Sequence, residues 1–404
     1  MEEQFLYKPD FSVVGGNRYF EYKERRVNAL VRSEYYDNVS LWQRQFNLYH
    51  WMQMNRDHEF VLHWAKSDAL LLQPHNSCAW TPQGRLRFDT RTIDSTKAKI
   101  NVEDCTYEEY FGSAFETWLE WDTNPEVTLR APVTDLLTDA IMRGTVMNIK
   151  AVLTAGGLFD SPNFRPGVAT NIRQAFLKSA FVRRGWMQAA REMAAEDAAK
   201  YAHLDNNLIA AGDISNDGKQ FTGNPLALFD ARLAAAPEKL YDAVTLGGQV
   251  GYGAVQNVPV WLVSPSVLRS LHKKKQEQDA ALATNEVRIT VETLQVDMGA
   301  ANAAPLTVYR IDGIPVVPVT EVNVFAEYLT GTPHFDYLML TGTVQLGGSF
   351  AQIPSAPEDV AIRVQQSTDN RDLGKTTYLA HMRLAAAFND TDYIAGGYRF
   401  NEPA

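Results

Sequence analysis

Between Gly84 and Glu103 the only large apolar residues are Leu86, Phe88, Ile93, Ile100 and Val102, set among Arg85, Arg87, Asp89, Arg91, Asp94, Lys97 and Lys99. Apolar and polar residues alternate at either end of this stretch, as in strands, and its centre is polar. A two-stranded ribbon with so little apolar face is marginal in water. Residues 76–111 are therefore expected to form an extended hairpin that borrows surface from a neighbour or works as a flap. The leading segment poses the same problem. The first 64 residues carry fourteen aromatic side chains, among them Phe5, Tyr7, Phe11, Trp42, Trp51 and Trp64. Residues 1–25 lack helical or strand periodicity and contain Pro9 and Gly15-Gly16. An irregular segment cannot satisfy so many large rings by itself. It is expected to lie either across its own domain or in an interface, where aromatics are enriched.

The rest of the chain can build a core. Its 404 residues suggest two or three compact units, and 45% are apolar, the ordinary globular proportion. The two cysteines, Cys78 and Cys105, exclude a disulfide scaffold and supply no C-x-x-C motif. A net charge of −10 argues against a dedicated nucleic-acid binder. Met1-Glu2-Glu3-Gln4 is acidic where a secretory leader is basic, and no apolar run approaches a membrane span. A soluble protein made in a reducing compartment is the expectation.

Apolar periodicity divides the remainder. Val133, Leu136, Leu137, Ala140, Ile141, Met147, Val152 and Leu153 recur at helical spacing between Pro132 and Gly156-Gly157. A second helix is expected over Ile172–Tyr201, with Phe176, Trp186, Met187 and Ala190 on one side. The Asn-, Asp- and Gly-rich stretch 204–224 reads as a loop near a domain boundary. Helices are expected from Asn224-Pro225 and after Pro237, and a buried strand at Val258–Val263. Ser264-Pro265 then opens a helix that runs into Lys273-Lys274-Lys275. Strands follow at 287–296 and 308–311, with Asp312-Gly313 as a two-residue hairpin turn. The last strands are expected at 337–340, 360–365, 376–388 and 393–400. The class is α+β.

Motifs for chemistry are weak. Asp213-Ile-Ser215-Asn-Asp217-Gly218 begins like a calcium loop, but Asn224 stands where the closing bidentate carboxylate belongs, so an Asx-rich turn is expected. The glycines of 247–253 lack a following Lys-Ser/Thr. Ser270 and Lys273 fit S-x-x-K without its companion motifs. The eight histidines show no helical zinc spacing. No catalytic, cofactor or metal site is expected, and the chain does not read as an enzyme. Arg183-Arg184 and Lys273–Lys275 would make only weak, salt-sensitive contact with phosphates.

The order of these elements resembles that of the major capsid proteins of tailed bacteriophages, with the Hong Kong 97-type fold shared by encapsulins. The resemblance rests on the hairpin at 76–111, on Pro132–Gly157 (PVTDLLTDAIMRGTVMNIKAVLTAGG) as a spine helix, and on VPVWLVSPSVLRSLHKK from Val258. IDGIPVVPV from Ile311 and YLAHMRLAAAFNDTDYIAGGYRF from Tyr378 complete it. It implies an N-terminal arm and helix (1–75), an extended hairpin loop (76–111) and a first peripheral part with the spine helix (112–205). An inserted axial domain (206–330) and returning peripheral strands (331–404) follow. It further implies self-assembly of hexamers and pentamers into an icosahedral shell around the phage genome. Localisation in the virion after synthesis in the host cytoplasm goes with that reading. The implied partners are a separate scaffolding protein, a portal, decoration proteins and packaged DNA in weak contact. Phe5, Tyr7, Phe11, Arg85, Leu86, Arg87, Phe88 and Arg91 are the expected inter-subunit contacts. No cleavage of the chain is expected, and no crosslink through Lys97, Lys99 or Asn389. The alternatives are an encapsulin-like compartment shell and a soluble α+β enzyme.

Overall fold

The computed structural model describes residues 59–67, 86–94, 96–105, 151–152, 154–158, 164–180, 185–245, 258–280, 287–297, 303–320, 322–326, 328–341, 362–366, 375–384 and 391–401. The expected arm at 1–25, the spine helix before residue 151 and the glycine loop 247–253 lie outside them.

The eleven strands among the described residues fall into three sheets. In chain order they are β1 (Glu59–Ser67), β2 (Leu86–Asp94), β3 (Thr96–Cys105), β4 (Val258–Val263), β5 (Ile289–Asp297) and β6 (Ala303–Ile311). Then come β7 (Ile314–Pro318), β8 (Thr332–Thr341), β9 (Ile362–Gln366), β10 (Lys375–Leu384) and β11 (Ile394–Asn401). The helices that position them are α1 (Thr170–Ala180), α2 (Trp186–Glu196), α3 (Pro225–Ala234), α4 (Glu238–Thr245) and α5 (Pro265–Ala280).

The core is a six-stranded sheet of order β11-β8-β4-β7-β6-β5, antiparallel except for the parallel pair β4–β7. Its central strand is an unbroken apolar run because both faces are covered. Trp261 and Val263 face α3, α4 and α5, where Phe229, Leu240, Ala243, Val267 and Leu271 join the same buried cluster. Phe229 meets Trp261 edge-on at 5.2 Å. Tyr337 of β8 meets Trp186 of α2 at 4.8 Å, so α2 joins the packing of the sheet as well.

Local signals place the helices as expected. Asn224 caps α3, its Oδ1 accepting from the Leu226 amide at 3.1 Å, and Pro225 occupies the first turn. The Ser264 carbonyl accepts the first bonds of α5 from Val267 and Leu268. The β6–β7 turn has positive φ at both Asp312 (50°) and Gly313 (83°), the pair of left-handed residues that a tight hairpin demands.

Three expectations change. The helix expected over Ile172–Tyr201 is interrupted at Gly185, which is extended (φ −71°, ψ 168°), and again at Asp197. A Cβ at Gly185 would stand 2.6 Å from the Thr154 carbonyl carbon and 2.7 Å from the Ala155 nitrogen. The Gly185 amide also donates to the Gly156 carbonyl at 2.7 Å. The chain breaks there because α2 starts against the backbone at 154–156, closer than any side chain permits.

The second change concerns the ribbon. Leu86–Asp94 and Thr96–Cys105 do not form a hairpin with each other. β2 pairs with β1, and β3 pairs with β10. Glu59–Ser67, expected in the arm-and-helix part, is a strand.

The third concerns the last part of the chain. β8 and β11 belong to the six-stranded sheet beside β4, whereas β9 and β10 join β3. The sheets thus divide the chain differently from the expected boundary at 330.

Candidate functional site

Strand β1 and strand β2 run antiparallel through nine residue pairs, from Glu59 opposite Asp94 to Ser67 opposite Leu86. Among the described residues neither strand pairs with a third. Among the described residues both outer edges of the ribbon therefore carry backbone donors and acceptors without a ladder. The register sets Glu59 opposite Asp94 and Lys66 opposite Arg87. One residue beyond Asp94 the chain enters β3 and changes partner to β10, which also pairs with β9. At ~3.3 Å per residue, the nine residues of β2 span about 30 Å.

Of the expected contact residues, Leu86, Arg87, Phe88 and Arg91 lie on β2, opposite Ser67, Lys66, Ala65 and Leu62. Phe5, Tyr7, Phe11 and Arg85 lie outside the described residues. Lys97 and Lys99 sit on β3 opposite Arg383 and His381, and Asn389 is outside the described residues.

The other motifs resolve as structure. Residues 213–222 form a small hairpin with a bridge between Ile214 and Phe221, and Ser215 Oγ donates to Asp217. No group of three metal-ligating side chains occurs among the described residues. Ser270 donates through Oγ to the Phe221 carbonyl and so ties α5 to that hairpin. No helix among the described residues is long and apolar enough to cross a membrane.

Two polar side chains on β8 face the helices and are fully buried, and no motif in the sequence marks either of them. Asp336 accepts two bonds from Arg232 of α3, Nε to Oδ2 at 2.6 Å and Nη2 to Oδ1 at 2.8 Å. Both side chains have zero exposure. Arg232 Nη2 also donates to the Asn206 carbonyl at 2.7 Å, and the Asn206 amide donates to Gly396 of β11. One guanidinium thus fastens a helix, a loop and the sheet. The signal available in the sequence was an aspartate inside an otherwise apolar strand, which must be paired to be there.

His334 is the second. Its Nδ1 lies 2.7 Å from Ser266 Oγ, its Nε2 lies 3.1 Å from the Gly218 carbonyl, and Ser264 Oγ adjoins Ser266 Oγ at 3.0 Å. The carbonyl requires a proton on Nε2, so Nδ1 accepts from Ser266 and the ring is neutral. Burial holds its pKa below the ordinary value. The unfolded chain protonates near pH 6.5, where the folded ring still refuses the proton. This contribution is therefore complete above ~6.5 and is lost as pH falls below it towards the folded pKa. Thermal midpoints at pH 7.5 and 5.5 should drop further for the wild type than for His334→Gln, whose amide can keep both bonds. Equal drops would remove the histidine from the acid response.

No protein-family model matches the sequence, and no curated protein sequence matches it. Solved structures similar to it are mostly tailed-phage capsid proteins. The satellite phage P4 procapsid, which includes a size-determination protein, is similar over 93% of this chain and 92% of that one, with 11% identity and a TM-score of 0.46. The capsid of Myoviridae phage XM1 is similar over 90% and 92%, with 10% identity and a TM-score of 0.41. The holo-SrpI encapsulin complex from Synechococcus elongatus is similar over 88% and 86%, with 11% identity and a TM-score of 0.40.

Proposed function

We propose that this chain is a structural subunit that assembles with copies of itself into a closed shell, as a phage major capsid protein does. The observation that carries the reading is the β1–β2 ribbon: nine residue pairs long and, among the described residues, paired with no third strand. Such an element has no reason to stand alone in water and gains stability when pressed onto another subunit. Its extension through β3 into a sheet that includes β9 and β10 gives it an anchored base. In this reading Leu86, Arg87, Phe88 and Arg91, with Arg85, form the contact on a neighbour, and Phe5, Tyr7 and Phe11 bind another. A scaffolding protein, a portal, decoration proteins and packaged DNA are the further partners, and the mature location is the virion. A division into arm, extended loop, peripheral and inserted axial parts belongs to the same proposal, with β8 and β11 counted with the axial sheet.

The register supplies a clean test. Removing Trp64–Asp89 and joining His63 to Thr90 through Asn-Gly shortens the ribbon while leaving β3 intact. The expected product is a folded subunit, with the wild-type near-ultraviolet circular dichroism of the six-stranded unit, that no longer forms particles. Particles of wild-type size from this variant would refute the role of the ribbon.

A further inference from the structure

Three of the four exposed large apolar residues among the described residues lie on or just before two elements of the six-stranded unit, α4 and β5. Tyr241 is on α4, which packs against β8 and against the turn 391–393 that leads into β11. Val287 (68% exposed) precedes β5, and Val291 (44% exposed) is on it, at the opposite end of the sheet order. There α5 closes over the strand, and Gln278 bonds both the amide and the carbonyl of Ile289.

The outward stripes of the helices at these two ends, α4 and α5, carry opposite charges. On α4, Leu240 and Ala243 are buried, and the outward stripe at three- and four-residue spacing is Glu238, Tyr241, Asp242 and Thr245. Lys239 is paired with Asp392, so the stripe is left acidic. On α5, Val267 and Leu271 are buried and Arg269 and Lys273 face outward. Lys274 and Lys275 are paired with Glu277 and Asp279, so that stripe is left basic. Among the described residues strand β5 is also the edge of its sheet, with valines exposed on and just before it, a surface that proteins ordinarily cover.

We infer that the Glu238–Tyr241–Asp242 face of one copy docks against the Arg269–Lys273 face of the next, with Tyr241 covering Val287 and Val291 at the edge of β5. The occupant is a second copy of this chain because the two faces are complementary to each other and neither is complementary to itself. A contact between two different faces is head-to-tail, and when its rotation closes it gives a ring. Each exposed ion pair contributes little alone, so the apolar contact carries the affinity and the charges set the direction. This inference rests on the shell reading and names the contact within its rings.

Two variants test it, Glu238→Lys/Asp242→Lys and Arg269→Glu/Lys273→Glu, together with the chain carrying all four changes. All replaced side chains are exposed, and wild-type thermal midpoints confirm folding. In sedimentation velocity each double variant alone should lose its rings, whereas the fourfold variant should regain them. An equimolar mixture of the two double variants should give rings with an even number of subunits only, since unlike copies must alternate. Rings from either double variant alone would overturn the inference and leave the shell reading standing, as would a fourfold variant or a mixture that fails to form rings. A wild-type chain that forms no assembly under any of these conditions would overturn both.

Discussion

Arg232→Met should destabilise the six-stranded unit by about 3–5 kcal/mol, because it leaves the Asp336 carboxylate buried without its partner. Methionine matches the length of the arginine stem, so the loss measures charge rather than packing volume. It also frees the Asn206 carbonyl, which the guanidinium satisfies at 2.7 Å. The double variant Arg232→Met/Asp336→Leu should recover most of the loss, since replacing both members of a buried pair is often nearly neutral. Urea unfolding of the dissociated subunit, followed through the fluorescence of Trp186 and Trp261, reads both values. A single variant within about 0.5 kcal/mol of wild type would mean that water reaches Asp336 and that the pair is not the fastening described.

Gly396→Ala should be the most damaging one-carbon addition in this part of the chain. Gly396 is directly opposite Tyr337 in the β11–β8 ladder, and a Cβ there would lie 1.9 Å from Tyr337 Cδ1 and 2.4 Å from its Cγ. The ring cannot retreat, because Tyr337 is fully buried and Trp186 stands against it at 4.8 Å. Either the β11–β8 ladder or the α2 contact must open. A loss of about 3 kcal/mol is expected, the upper end of overpacking costs. Gly212→Ala is the control, for nothing lies within 4 Å of its added carbon. Combining Gly396→Ala with Tyr337→Leu should restore part of the loss by removing the clash. Equal melting temperatures for Gly396→Ala and Gly212→Ala would contradict the close approach.

The part of the fold that could be read in the sequence is the part set by local chemistry. Val258–Val263 is a strand because six successive residues suit burial on both faces. Asn224-Pro225 starts a helix because the Asn224 side chain caps it, and Ser264-Pro265 starts one because the Ser264 carbonyl accepts its first bonds. Asp312-Gly313 turns because both residues accept positive φ. Partner choice was not legible. Nothing within Leu86–Cys105 says that its first half pairs with 59–67 and its second half with 375–384, because the register is fixed by residues far along the chain. The break at Gly185 was equally hidden: apolar periodicity runs through it, and only the approach of the backbone at 154–156 explains it. Arg232 looks like an ordinary charge on an amphipathic helix until Asp336 is placed opposite. Within the candidate assembly surface the extended character of Leu86–Cys105 was legible and its strand partners were not.

The central claim is that this chain is built to be completed by copies of itself. It is tested most directly by electron microscopy of the purified full-length protein at micromolar concentration in near-physiological salt. Closed particles tens of nanometres across, with ribbons lying over adjacent subunits, are the predicted result. A monodisperse monomer of 45.3 kDa under the same conditions, with the β1–β2 ribbon packed on its own chain, would contradict it.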